Sequence, residues 1–128
     1  MAERNLVLVV DDDPVVVHLI ESMLARASFH VASVQSGSEA LTMLHEHPDQ
    51  VALVFVDLAM PGISGFDLAR EMKATPATSG IPLVAVTANF GPELGEEVSA
   101  SGIEEVIEKP FRGEQLVDVL RRHGVQVE

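Results

Sequence analysis

The chain contains no cysteine, no tryptophan and no tyrosine. Without thiols it has no disulfide framework, no thiolate metal site and no cysteine nucleophile. Basic residues are scarce: 8 Lys and Arg stand against 20 Asp and Glu, a formal charge of −12. That sign argues against direct binding to nucleic acid or to an anionic membrane, since both would repel it. No apolar run approaches the ~18 residues that cross a bilayer. The opening Met1-Ala2-Glu3-Arg4-Asn5 leads into an apolar run too short for a signal-peptide core. What is abundant is hydrophobic residues, 47% of the 128 positions, enough for one packed core. The expectation is a soluble, cytoplasmic single domain over residues 1–128.

Five short apolar runs punctuate the chain: Leu6–Val10, His30–Val34, Val51–Val56, Leu83–Val86 and Val106–Ile107 with its flanks. The first, third and fourth are almost continuous in aliphatic residues, as in strands covered on both faces of a parallel sheet. Helical spacing fills the intervals. Residues 14–27 place Val16, Leu19, Ile20, Met23, Leu24 and Ala27 on one stripe, with Asp13 as N-cap before Pro14. Ser36-Gly37-Ser38-Glu39 reads as a capping box opening a helix that runs to about His47. Further helices are expected from Ser64 to Ala74, over Pro92–Ser101 and over Glu114–Arg122. The pattern is (βα)5, an α/β doubly wound, five-stranded parallel sheet of order 2-1-3-4-5, flavodoxin-like. Such a sheet binds ligands at the carboxyl ends of strands 1 and 3.

Asp11, Asp12 and Asp13 leave the first strand, Asp57 leaves the third, Thr87 ends the fourth and Lys109 ends the fifth. Each has a bland reading alone: Asp13 as a cap, Thr87 bonding its own turn, Lys109 as a surface charge. Together they converge on one crevice. Carboxylates crowded there repel one another unless a cation compensates them, and oxygen ligands without His or Cys suit Mg²⁺. A carboxylate beside Mg²⁺ can attack phosphorus to give an aspartyl phosphate. Lys109 would offset charge on the phosphoryl oxygens and Thr87 would donate a hydroxyl hydrogen bond, which is the positioning that phosphoryl transfer needs.

The segments Val9-Val10-Asp11-Asp12-Asp13-Pro14, Val56-Asp57-Leu58-Ala59-Met60-Pro61-Gly62, Gly65, Val86-Thr87-Ala88 and Lys109-Pro110-Phe111 resemble the receiver domain of two-component response regulators. The resemblance spans about Asn5 to Arg122. It implies Asp57 as phosphoacceptor and Asp11 and Asp12 as Mg²⁺ ligands, joined by Asp57 and the Ala59 backbone carbonyl. It implies Thr87 and Lys109 as the residues that contact the phosphoryl group, and a cis Lys109-Pro110 peptide. The implied partners are a histidine kinase or histidine phosphotransfer protein and a downstream protein target.

The chain departs from that pattern in places. Val106 stands where receivers commonly carry Tyr or Phe, with Phe90 as a conceivable substitute, and Ala59 and Asn89 flank the crevice without an acid or base. Two other readings share features. Haloacid-dehalogenase phosphatases match Asp11-Asp12-Asp13 and a later lysine, but leave Asp57 unexplained and need a longer chain. An inert interaction module would usually have lost Asp12, Asp57 or Lys109. A receiver excised from a hybrid kinase would look similar, although Met1 and the short tail favour an independent polypeptide. Val15, Val16 and Val17 lie ~100° apart on a helix, so at least one should be exposed beside the crevice and receive the phosphodonor. The face holding Glu93, Glu96, Glu97, Glu104, Glu105 and Glu108 suits a basic target.

Overall fold

Aliphatic runs covered on both sides and amphipathic segments between them give an open parallel sheet clothed by helices. In this computed structural model residues 4–88, 91 and 94–127 are described. The strands are β1 (Leu6–Val10), β2 (His30–Val34), β3 (Val51–Val56), β4 (Leu83–Thr87) and β5 (Glu105–Glu108). The helices are α1 (Pro14–Arg26), α2 (Gly37–Glu46), α3 (Gly65–Ala74), α4 (Gly95–Ser101) and α5 (Gly113–Arg122). The sheet order is β2-β1-β3-β4-β5, with every neighbouring pair parallel. This is the order expected from the sequence.

Side chains alternate across the sheet and build two cores. Leu8, Val10, Val54, Val56, Leu83 and Ala85 pack with Leu44, Leu68, Met72 and Val98 on the side of α2, α3 and α4. Val7, Val9, Leu53, Phe55, Val84 and Val86 pack with Ile20, Leu24, Leu116 and Leu120 under α1 and α5. Because both faces of the three central strands are covered, β1, β3 and β4 show no polar alternation and read as unbroken apolar runs, whereas the edge strands β2 and β5 are only partly buried. Full burial of such side chains contributes about 1.5–3 kcal/mol each.

Two local expectations need correction. The buried residues of α1 are Val17, Ile20 and Leu24, while Leu19 is 44% exposed. The sheet-facing stripe therefore passes through Val17, with Val16, Met23 and Ala27 packed along its margin. Secondly, Ser36 forms only half a capping box. Its hydroxyl accepts the Glu39 N–H and also donates to the Glu39 carboxylate, each at 3.1 Å, so that carboxylate meets the hydroxyl and not the Ser36 N–H. The reciprocal box is at Ser64 and Asp67, where each backbone N–H donates to the other's side chain at 3.1 and 3.2 Å. The expected start of the fourth helix at Pro92 lies outside the described residues.

Candidate functional site

Strand pairing brings the acids together. The Asp57 N–H donates to the Val10 carbonyl at 3.0 Å, locking the end of β3 beside the end of β1. Asp11 follows β1, and its N–H donates to the Val34 carbonyl at 3.3 Å. The side chains are then fixed by local bonds. Asp11 Oδ1 accepts the Asp13 N–H at 2.9 Å, and Asp57 Oδ1 accepts the Ala59 N–H at 3.1 Å. Asp13 Oδ1 accepts the Val15 N–H at 2.9 Å, so Asp13 caps α1 as expected.

The remaining oxygens of both buried acids face one cation. Lys109 Nζ donates to Asp11 Oδ2 at 3.0 Å and to Asp57 Oδ2 at 3.3 Å. Asp12, which is exposed, completes a cluster in which one oxygen from each of Asp11, Asp12 and Asp57 lies within 4.8 Å of the others. Thr87, 3% exposed, ends the neighbouring strand, and its carbonyl accepts the Lys109 N–H at 2.9 Å. The Lys109-Pro110 peptide is cis. Gly65 sits so close to the acceptor strand that a Cβ there would lie 2.7 Å from the Asp57 carbonyl oxygen.

Crowding of charge at this edge moves the proton affinities. Burial pushes the Asp11 carboxyl up, the nearby Asp57 charge adds to that, and the Asp13 N–H and Lys109 partly oppose it. For Lys109 burial works downward, but the hydrogen bond to Asp11 and the charges of Asp11 and Asp57 prevail and raise it. Lys109 is therefore firmly an ammonium, and the Asp11 carboxylate would be relieved by more positive charge. Three carboxylates and one ammonium leave two formal negative charges, matched by a divalent ion. The donors are all oxygens, with no imidazole or thiolate in the cluster. The set fits a hard divalent cation.

Each sequence-predicted site residue thus falls at the same edge: Asp11, Asp12 and Asp57 in the cluster, Lys109 bridging two of them, Ala59 bonded to Asp57, and Thr87 bonded to Lys109. That Lys109 already holds both buried acids is not foreshadowed in the sequence, because the contact joins residues far apart in the chain. A groove between α2 and α3, lined by Leu41, Ile63, Asp67, Arg70 and Glu71, contains none of these groups. Val106 is partly buried against the core beneath α3 and α4, while Asn89, Phe90 and Glu93 lie outside the described residues.

Fold and edge together define a class: flavodoxin-like α/β domains with an acidic cluster at the carboxyl ends of the first and third strands. The chain belongs to the response regulator receiver domain family, whose model matches residues 7–121. It is thus a phosphoacceptor signalling domain of two-component systems and not a conventional enzyme. It is 38% identical over 122 residues to the DNA-binding response regulator MtrA of Mycolicibacterium smegmatis, covering 92% of this chain and 50% of that protein. It is also 29% identical over 122 residues to hybrid signal transduction histidine kinase L of Dictyostelium discoideum, covering 92% of this chain and 7% of that protein. The chain spans about half the length of the first of these relatives and a small part of the second. Its fold matches Vibrio cholerae chemotaxis protein CheY4 with a TM-score of 0.86 at 26% identity, covering 98% of this chain and 100% of that one. No helix among the described residues is long and apolar enough to cross a membrane.

Proposed function

We propose that Asp57 accepts a phosphoryl group from the phosphohistidine of a histidine kinase or histidine phosphotransfer protein. A carboxylate oxygen of Asp57 forms the new P–O bond as the donor's P–N bond breaks, and the released imidazole takes up a proton from solvent. Asp11, Asp12, Asp57 and the Ala59 carbonyl would hold Mg²⁺, which when bound supplies neutralising charge for the carboxylates and the phosphoryl oxygens. Lys109 then turns from pairing two carboxylates to pairing one carboxylate and the phosphoryl group. Thr87 offers its hydroxyl from the adjacent strand end. A downstream protein reads the phosphorylated state.

The observation that carries this reading is the single point at which Asp11, Asp57 and Lys109 meet, Nζ to carboxylate, at 3.0 and 3.3 Å. A surface ion pair would not require two acids from separate strands, both largely buried, to share one lysine. The test is intact-mass measurement after incubation with acetyl phosphate and Mg²⁺. The wild type should gain one phosphoryl mass, and neither Asp57→Asn nor wild type with chelator should gain it. A stable adduct persisting in Asp57→Asn would move the acceptor elsewhere.

A further inference from the structure

In the run Asp11-Asp12-Asp13 the third acid stands outside the carboxylate cluster. Its side chain serves α1. Asp13 Oδ1 accepts the Val15 N–H at 2.9 Å, and the Asp13 carbonyl accepts the Val17 N–H at 3.1 Å. Pro14, which has no N–H of its own, fills the first position of the helix. It also confines the residue before it to extended backbone, and Asp13 has φ −90° and ψ 110°. Two bonds and a proline thus fix Asp13 on the end of α1. The N–H of the same residue donates to Asp11 Oδ1 at 2.9 Å.

The two buried acids of the cluster have matching bonds but different supports. Each gives its Oδ2 to Lys109 and its Oδ1 to the N–H two residues on, that of Asp13 for Asp11 and that of Ala59 for Asp57. Ala59 has only a methyl group and cannot be tied down through a side-chain hydrogen bond. Asp13 is tied to a helix of 13 residues whose Val17, Ile20 and Leu24 are buried against the sheet. The Asp11 N–H is held at the same time by the Val34 carbonyl at 3.3 Å. The Asp11 side chain is 3% exposed and that of Asp57 is 12% exposed. This difference suits two roles. A cation ligand has to stay in place, whereas a carboxylate that takes a phosphoryl group has to be reached and to exchange partners.

We infer that Asp13 is a positioning residue for the cation site: through its cap on α1 it holds the N–H that orients the Asp11 carboxylate. The inference rests on the reading of Asp11 as a ligand of a divalent cation. It assigns the effect to the hydrogen bond of the Asp13 side chain and not to its charge. Asparagine, whose amide oxygen caps a helix as well as a carboxylate does, therefore replaces it. Alanine keeps the N–H but loses the cap, so the first turn of α1 frays and the N–H is no longer aimed at Asp11.

The test compares isothermal titration with Mg²⁺ and thermal melting for wild type, Asp13→Ala, Asp13→Asn and Ser36→Ala. Ser36 caps α2 and bonds to none of the clustered acids, so Ser36→Ala is a cap loss away from the site. Both alanine variants should melt about 4 °C lower than wild type. Asp13→Ala alone should bind Mg²⁺ more weakly, by about fivefold, while Asp13→Asn and Ser36→Ala stay within about twofold of wild type. Asp13→Gly removes the same bond at little cost in stability and should repeat the weakening if the alanine variant folds poorly. An unchanged dissociation constant in both Asp13→Ala and Asp13→Gly would overturn the inference. So would equal weakening in Ser36→Ala, which would mean general loosening, or in Asp13→Asn, which would mean charge alone. A wild type that binds no Mg²⁺ would overturn the cation-site reading itself, and that failure shows before any variant is measured.

Discussion

Lys109 has the most to lose from substitution, because it serves two carboxylates at once. Its ammonium is the only counter-charge within bonding distance of Asp11 and Asp57 among the described residues. Replacing it with Ala leaves the acids facing each other and more receptive to another cation. Lys109→Ala should therefore bind Mg²⁺ at least as tightly as wild type, by up to several-fold, and yet lose most of its response to phosphorylation. Isothermal titration with Mg²⁺ checks the first half, and markedly weaker binding would contradict the assigned role. At this scale much of the site was legible from the chain. Asp11, Asp12, Asp57, Thr87 and Lys109 each end a recognisable strand, and Asp13 before Pro14 announces a cap. The pair of hydrogen bonds that Lys109 donates to Asp11 and Asp57 was not legible, because it depends on side-chain reach across three strand ends.

Elements were legible where periodicity was strong and misread where it was shared. Three valines in a row at Val15–Val17 fit a helix in any rotation, so the sequence alone could not choose Val17 over Leu19 for the sheet side. The fifth strand is short, four residues, and its ties are tertiary. Glu105, which opens β5, bonds to Arg122 and His123 at the end of α5. Burial works to raise its carboxyl, but the hydrogen bonds from Arg122 and His123 prevail and hold it below the ordinary value of 4.5. A depressed carboxyl stabilises the fold above its unfolded-state value and loses that contribution as pH falls through its folded value. On going from about pH 5 to about pH 3, downward through the ordinary glutamate value, the wild-type melting temperature should fall more than that of Glu105→Gln. Because Arg122 is largely exposed, the effect is small, within the range of surface ion pairs. Parallel pH-melting curves measure it.

On the scale of the whole molecule, the sheet order was legible because alternating strands and helices leave few topologies. The surfaces were less so. Val15 is 73% exposed on α1, close to the Asp13 cap and so to the acid cluster, with Leu19 following one turn later. An apolar patch at that position suits the helices of a phosphodonor. Val15→Glu should slow transfer from the cognate donor about tenfold, corresponding to ~1.4 kcal/mol in the transition state, while labelling by acetyl phosphate stays unchanged. Equal transfer rates would remove α1 from the docking surface. The acidic face is partly neutralised from within, since Arg70 holds Glu97 and Arg122 holds Glu105. Glu96, Glu104 and Glu108 are the exposed acids of this face without an arginine partner among the described residues, and a basic target would meet those first.

The two cores have a steric consequence. The first belongs to α2, α3 and α4, the second to α1 and α5, and the five-stranded sheet stands between them. Under the proposed function, a donor seated on α1 would sit on one side of the sheet and a partner bound at α4 on the other, so the two would compete for no helix. Charging and reading would then need not take turns.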